Sequence, residues 1–160
     1  MDSTVCTFHE SAQCIRVSSH SHHTETKIRF ITLLNKIQSE LNDYERLKNA
    51  GLRLPKLIDC DVENERILKD YIDGKTAYEL VLQNEMKPEY IEQIREMCRL
   101  LNPKGINIDY FPTNFILNNG LLWYIDYECN DYMEEWNFEN WGIKYWSKTK
   151  EFCEYHENNK

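Results

Sequence analysis

Gly105-Ile-Asn-Ile-Asp-Tyr-Phe-Pro-Thr-Asn-Phe115, followed by Tyr124-Ile-Asp-Tyr-Glu128, is the stretch whose reading decides this chain. Ile106 and Ile108 lead into a loop, Phe115 to Leu117 is predicted as a short strand, Asn118-Asn-Gly120 as a hairpin turn, and Leu121 to Ile125 as the returning strand. The outer ends of that hairpin carry Asn114 and Asp126, so their oxygens are expected side by side, as a hard cation such as magnesium requires. Pro112 stiffens the loop between Asp109 and Asn114 and limits the entropy lost in holding them. In phosphoryl transfer one carboxylate positions the acceptor hydroxyl while other oxygen ligands hold the magnesium that neutralises the triphosphate. Asp109 fits the first role, and Asn114 with Asp126 the second. Asp and Asn are also common turn residues, so a plain β-hairpin is the alternative.

The helices around this stretch follow from periodicity. Phe30, Leu33, Leu34, Ile37, Leu41, Tyr44 and Leu47 predict an amphipathic helix from about Thr32 to Asn49, ended by Ala50-Gly51. Glu40 falls within the apolar arc of that helix, where a carboxylate wants a partner. Ile91, Ile94, Met97, Cys98 and Leu101 predict a second helix from Pro88 to Leu101, ended by Asn102-Pro103. Leu52 to Ile58 and Arg66 to Val81 are expected to form strand, strand, linker and helix start. Trp136, Phe138, Trp141, Tyr145 and Trp146 are expected on a helix spanning Tyr132 to Trp146 that packs beneath the loop.

Asn107-x-Asp109-(x4)-Asn114 followed by Ile125-Asp-Tyr-Glu128 resembles the catalytic and metal-binding loops of the protein-kinase-like superfamily. The resemblance is to its compact branch of aminoglycoside phosphotransferases, RIO-type kinases and small tRNA-modification-associated or serine/threonine-kinase-like proteins. Asn107 stands where most members have His, and Tyr127-Glu128 where protein kinases have Phe-Gly. The resemblance implies an α+β, truncated two-lobed kinase-like fold. Its small antiparallel lobe would span about residues 1–72 and its reduced helical lobe 73–160, forming one domain. It also implies that the helix glutamate, Glu40 with Glu45 as runner-up, pairs with a phosphate-gripping lysine. Lys27, on an expected strand from Glu25 to Phe30, is the best candidate. Backbone groups at Asp70 and Ile72 would then hydrogen-bond the adenine of ATP. One feature departs from the family pattern: no glycine precedes Gly51, so the glycine-rich loop that covers phosphates has no counterpart.

Composition narrows the field. The chain has 160 residues with 41% hydrophobic content, enough for one sizeable core or two small lobes. A net charge of −8 opposes nucleic-acid binding, because binders of phosphate backbones show a basic face. No long apolar span or leader is evident, so neither a membrane partner nor a location outside the cytoplasm is expected. The six cysteines lack a framework spacing and are expected as reduced thiols. Cys14, His20, His22 and His23 form a minor candidate metal set near an expected strand from Cys14 to Val17, without the spacing of a tetrahedral site.

The expectation carried forward is an ATP- and Mg2+-dependent phosphotransferase acting on an unidentified hydroxyl acceptor, small molecule or protein. Its alternative is a degenerate module that binds nucleotide or a partner without catalysis.

Overall fold

The computed structural model describes residues 23–64 and 66–159, with side chains from residue 36 onward. The expected strand from Cys14 to Val17, with Cys14, His20 and His22, lies outside the described residues, as does the side chain of His23. The elements run α1 (His23–Ala50), β1 (Leu57–Asp61), β2 (Arg66–Lys69), β3 (Lys75–Thr76), α2 (Ala77–Leu82), α3 (Pro88–Leu101), β4 (Ile106–Ile108), β5 (Phe115–Asn118), β6 (Leu121–Tyr124), β7 (Cys129–Asp131) and α4 (Lys150–Asn158). The fold is α+β, with small sheets ordered β1-β2, β3-β5-β6 and β4-β7, every pair antiparallel.

Two compact units divide the chain. The first combines α1 through Asn42 with Lys56–Tyr71. In it β1 and β2 form a hairpin from Leu57 opposite Lys69 to Asp61 opposite Arg66, with an irregularity between Leu57 and Asp59. Asp61 closes its turn by accepting from the backbone N–H of Asn64 at 3.0 Å and its side-chain amide at 2.7 Å. On the helix, Ile37 is buried and Glu40 half-buried.

The second unit joins Asp43–Pro55 to the chain from Ile72 onward. Leu47, Ala50 and Leu52 from its first segment enter one core with Ile94, Met97 and Leu101 of α3 and Ile106, Ile108, Phe115, Leu122, Tyr124, Phe138 and Trp146. Each Leu, Ile, Met or Phe among them contributes about 1.5–3 kcal/mol when fully buried. Three local devices fix the β3-β5-β6 sheet. Asn119 and Gly120 both take positive φ (49° and 79°), as a two-residue hairpin turn of the favoured twist demands. Gly74 lies so close to β5 that a Cβ there would sit 2.1 Å from the Leu117 carbonyl oxygen. Thr76 and Glu79 form a reciprocal capping box that starts α2 directly after β3.

The helix from Pro88 to Leu101 is as expected, and so is the end of α1, where Gly51 takes φ +88°. Two expectations are corrected. Glu25 to Phe30 is not a strand but part of α1, which begins at His23. Tyr132 to Trp146 is not a helix. Its backbone makes short turns at Glu134–Trp136 and Gly142–Tyr145, and the Asn137 side chain accepts from the Asn140 N–H at 2.8 Å, an alternative to helical bonding. Finally, β7 and α4 were not anticipated; Thr149 caps α4 by accepting from the Phe152 N–H.

Candidate functional site

The loop from Asp109 to Asn114 is held by its own backbone. Asp109 is exposed just beyond β4, and its Oδ1 accepts from the Phe111 N–H at 3.0 Å. The Asn114 N–H donates to the Phe111 carbonyl at 3.0 Å, and the Asn114 side-chain amide donates to the Asp109 carbonyl at 3.4 Å. Asn114 therefore offers its Oδ1 as the acceptor atom; the Thr113 hydroxyl lies 3.5 Å from it.

The hairpin joins this loop to Asp126. Beyond the pair Phe115 and Tyr124, the Ile125 N–H donates to the Asn114 carbonyl at 2.9 Å, so Asp126 follows the residue opposite Asn114. The half-buried Asp126 accepts from the Glu128 N–H at 3.3 Å. The phenol of Tyr124 is fully buried and donates to the Glu128 carbonyl at 2.9 Å. Burial raises its pKa well above the ordinary value, and the nearby carboxylates of Asp126 and Asp109 raise it further. Asp109, Asn114 and Asp126 thus gather at one end of the hairpin. Among the described residues neither carboxylate is ion-paired to a Lys, Arg or His. No cluster of three or more His, Cys, Asp or Glu suited to a metal exists among them. A cation here would use the Asp126 carboxylate and the Asn114 amide oxygen, hard ligands suited to magnesium.

Neighbouring side chains anchor this end. Tyr127 is buried, donates to the Pro55 carbonyl at 2.8 Å and packs on Tyr44 with ring centroids 4.7 Å apart. Cys129 donates to Asp43 Oδ1 at 3.2 Å, and burial together with that carboxylate pushes its thiol pKa up to about 12. Asn107, 4% exposed on β4, donates its side-chain amide to the carbonyls of Trp136 (3.0 Å) and Met133 (3.4 Å). Sequence reasoning missed Tyr124 and Tyr127; their places flanking Ile125-Asp126 were the available signal.

The remaining candidates divide between the two units. Glu40 belongs to the first unit; its half-burial, against the exposed Glu45 that pairs with Lys48 at 3.3 Å, matches its place in the apolar arc. Its charge is felt at Cys60 of β1, whose pKa is raised by burial and by Asp59, Asp61 and Glu40. The expected pairing of Glu40 with Lys27 is corrected. No strand presents Lys27, and both residues ride α1 thirteen positions apart, about 20 Å of helical rise. Asp70 is exposed and its N–H already donates to the Lys56 carbonyl at 2.9 Å, whereas Ile72 is half-buried in the second unit.

Comparison with known proteins gives one partial likeness. The chain is 28% identical over 89 residues to a probable bifunctional tRNA threonylcarbamoyladenosine biosynthesis protein of Methanococcus vannielii, covering 55% of this chain and 16% of that protein. No family model matches the chain. These findings correct the placement in the protein-kinase-like superfamily read from residues 105–128, because the motif alone brings no family match and the likeness found is partial. No helix among the described residues is long and apolar enough to cross a membrane.

Proposed function

We propose that this chain is an ATP- and magnesium-dependent phosphotransferase that transfers a phosphoryl group to a hydroxyl acceptor. The observation that carries the reading is the convergence of Asp109, Asn114 and Asp126 at one hairpin end, tied by the Asn114 amide to the Asp109 carbonyl and by the Ile125 N–H to the Asn114 carbonyl. Asp109, solvent-facing, would orient the acceptor hydroxyl and take its proton. Asn114 and Asp126 would hold magnesium against the phosphates, the metal supplying the charge neutralisation of the transition state. Adenine contact would fall chiefly to the Ile72 backbone, since the Asp70 N–H is engaged. A two-lobed arrangement, small antiparallel lobe first and reduced helical lobe second, and a cytoplasmic location belong to the same proposal. The likeness to the Methanococcus vannielii protein supports a place beside tRNA threonylcarbamoyladenosine biosynthesis.

A second reading is a non-catalytic nucleotide- or partner-binding module, favoured by the lack of any glycine before Gly51 to form a phosphate-covering loop. Asp109→Asn separates the two. It keeps size and turn-forming capacity but removes the carboxylate, so ATP affinity should persist while turnover falls by about 100- to 10,000-fold. Equal turnover in wild type and variant, or none in wild type across a panel of hydroxyl acceptors, favours the binding module.

A further inference from the structure

From Gly105 to Ile143 the sequence contains no Lys, Arg or His, yet it carries Asp109, Asp126, Glu128, Asp131, Glu134, Glu135 and Glu139. Within this anionic stretch the turn from Tyr132 to Trp136 presents an apolar patch: Met133 is 50% exposed and Trp136 49%. The patch is fixed in place. The Trp136 N–H donates to the Met133 carbonyl at 3.1 Å, the indole N–H donates to Glu135 at 2.8 Å, and the ring packs on Trp141 at 6.0 Å. Beneath it, Asn107 spends its amide hydrogens on the Met133 and Trp136 carbonyls. Its Oδ1 is buried without a hydrogen-bond partner among the described residues.

We infer that the Tyr132–Trp136 turn is a docking surface for a Lys- or Arg-bearing polypeptide segment. Charge complementarity sets the sign of the occupant. Glu139 is taken by Arg95 at 2.7 Å and Asp131 faces Arg46 at 3.7 Å, but Glu134 has no ion-pair partner among the described residues, and Glu135 holds only the indole. An indole face flanked by carboxylates attracts ammonium and guanidinium groups. A half-exposed turn suits long side chains of a flexible chain, whereas small ligands are mostly enclosed by concave pockets. Asn107 lies two strand residues before Asp109, roughly 7 Å along the chain. Such a segment is therefore positioned to carry the acceptor hydroxyl, a point that rests on the phosphotransferase reading; the docking itself does not.

The test measures affinity of the full chain, without nucleotide, for a fluorescein-labelled peptide alternating Lys-Arg with Gly-Ser. E134K/E135K is compared with E151K/E157K on the exposed face of α4, which makes the same change in net charge at a distant point in sequence. The turn variant should bind roughly tenfold more weakly, and W136A about threefold more weakly, as expected for losing exposed charge and cation–π contacts. The α4 variant should stay within about twofold of wild type. Equal losses in both charge-reversed variants would mean general attraction to an acidic protein and overturn the inference. So would spermine binding as tightly as the peptide, which would make the surface a site for small cations. Because no nucleotide is present, the outcome is independent of the turnover assay that decides the phosphotransferase reading.

Discussion

The indole N–H of Trp146 donates to the carbonyl of Tyr110 at 2.7 Å, tying the end of the aromatic tail to the residue directly after Asp109. Both side chains are fully buried, and Trp146 also meets Phe115 edge-on at 5.1 Å and Phe138 at 5.7 Å. Trp146→Phe keeps most of the ring but leaves a buried carbonyl without its donor, so it should cost about 1–3 kcal/mol. Urea unfolding measures this; an unchanged midpoint would remove the bond from any account of stability.

Gly142 gives a sharper steric test against the same residue. A Cβ at Gly142 would lie 2.6 Å from the Tyr110 Cβ and 3.0 Å from the Phe138 ring, contacts that neither buried neighbour can yield cheaply. Gly105, with φ +67°, has nothing within 4 Å of its added Cβ and bears only the backbone penalty. Gly142→Ala should therefore destabilise by several kcal/mol and Gly105→Ala by about 1 kcal/mol. Denaturation midpoints in the reverse order would refute the packing argument.

The contrast between legible and illegible parts has physical causes. The hairpin around Asn119-Gly120 was readable because its turn needs two positive φ angles, which those residue types supply locally. The helix from Pro88 to Leu101 was readable because Ile94, Met97 and Leu101 repeat on one buried face. The tail misled because its aromatic spacing suits a helix while its burial is decided by tertiary contacts. Phe138 and Trp146 turn inward, yet Trp136 stays half-exposed. Likewise β7 exists through pairing with β4, a long-range relation that three residues cannot announce. The placement of Asn114 and Asp126 at the open end of one hairpin followed from the local turn; the family placement drawn from them together with Asp109 did not hold, since spacing alone carries little specificity.

The capping box at α2 makes a pH-dependent contribution. Glu79 accepts from the Thr76 N–H at 2.7 Å and from its hydroxyl at 2.9 Å, and these bonds hold its carboxyl below the ordinary value. A depressed carboxylate pKa stabilises the fold at neutral pH, and that contribution is lost as pH falls through the folded-state value. Glu79→Gln should lower stability at pH 7 and converge with wild type in acid, whereas Thr76→Ala should cost about 1 kcal/mol at neutral pH. A pH-independent gap for Glu79→Gln would contradict the assignment.

Cys129 has the opposite sign. Its thiol is pushed from an ordinary 9.0 up to about 12 by burial and by Asp43, so the unfolded chain ionises at lower pH than the folded one. Stability from this group is whole below pH 9.0 and declines as pH rises toward about 12. Cys129→Ala should flatten that alkaline decline. At pH 8, iodoacetamide should label the exposed Cys153 well before Cys129, as peptide mapping would read. Faster labelling of Cys129 would mean that its burial beside Asp43 is not maintained in solution.

Asp126→Asn tests the metal assignment most directly, because it changes one charge on a half-buried side chain and keeps the acceptor for the Glu128 N–H. If Asn114 and Asp126 hold magnesium, the variant should fold with a wild-type melting temperature in the absence of nucleotide. Its magnesium-dependent ATP affinity should nonetheless fall on the order of tenfold or more, since a hard cation depends on anionic oxygen. Isothermal titration with ATP in magnesium and in chelator separates the metal-dependent part from contacts to the base. Wild-type ATP affinity that chelation does not alter, or a variant that binds Mg-ATP as tightly as wild type, would remove the cation from this end of the hairpin. Asp126 would then be a turn residue whose carboxylate serves the Glu128 N–H alone.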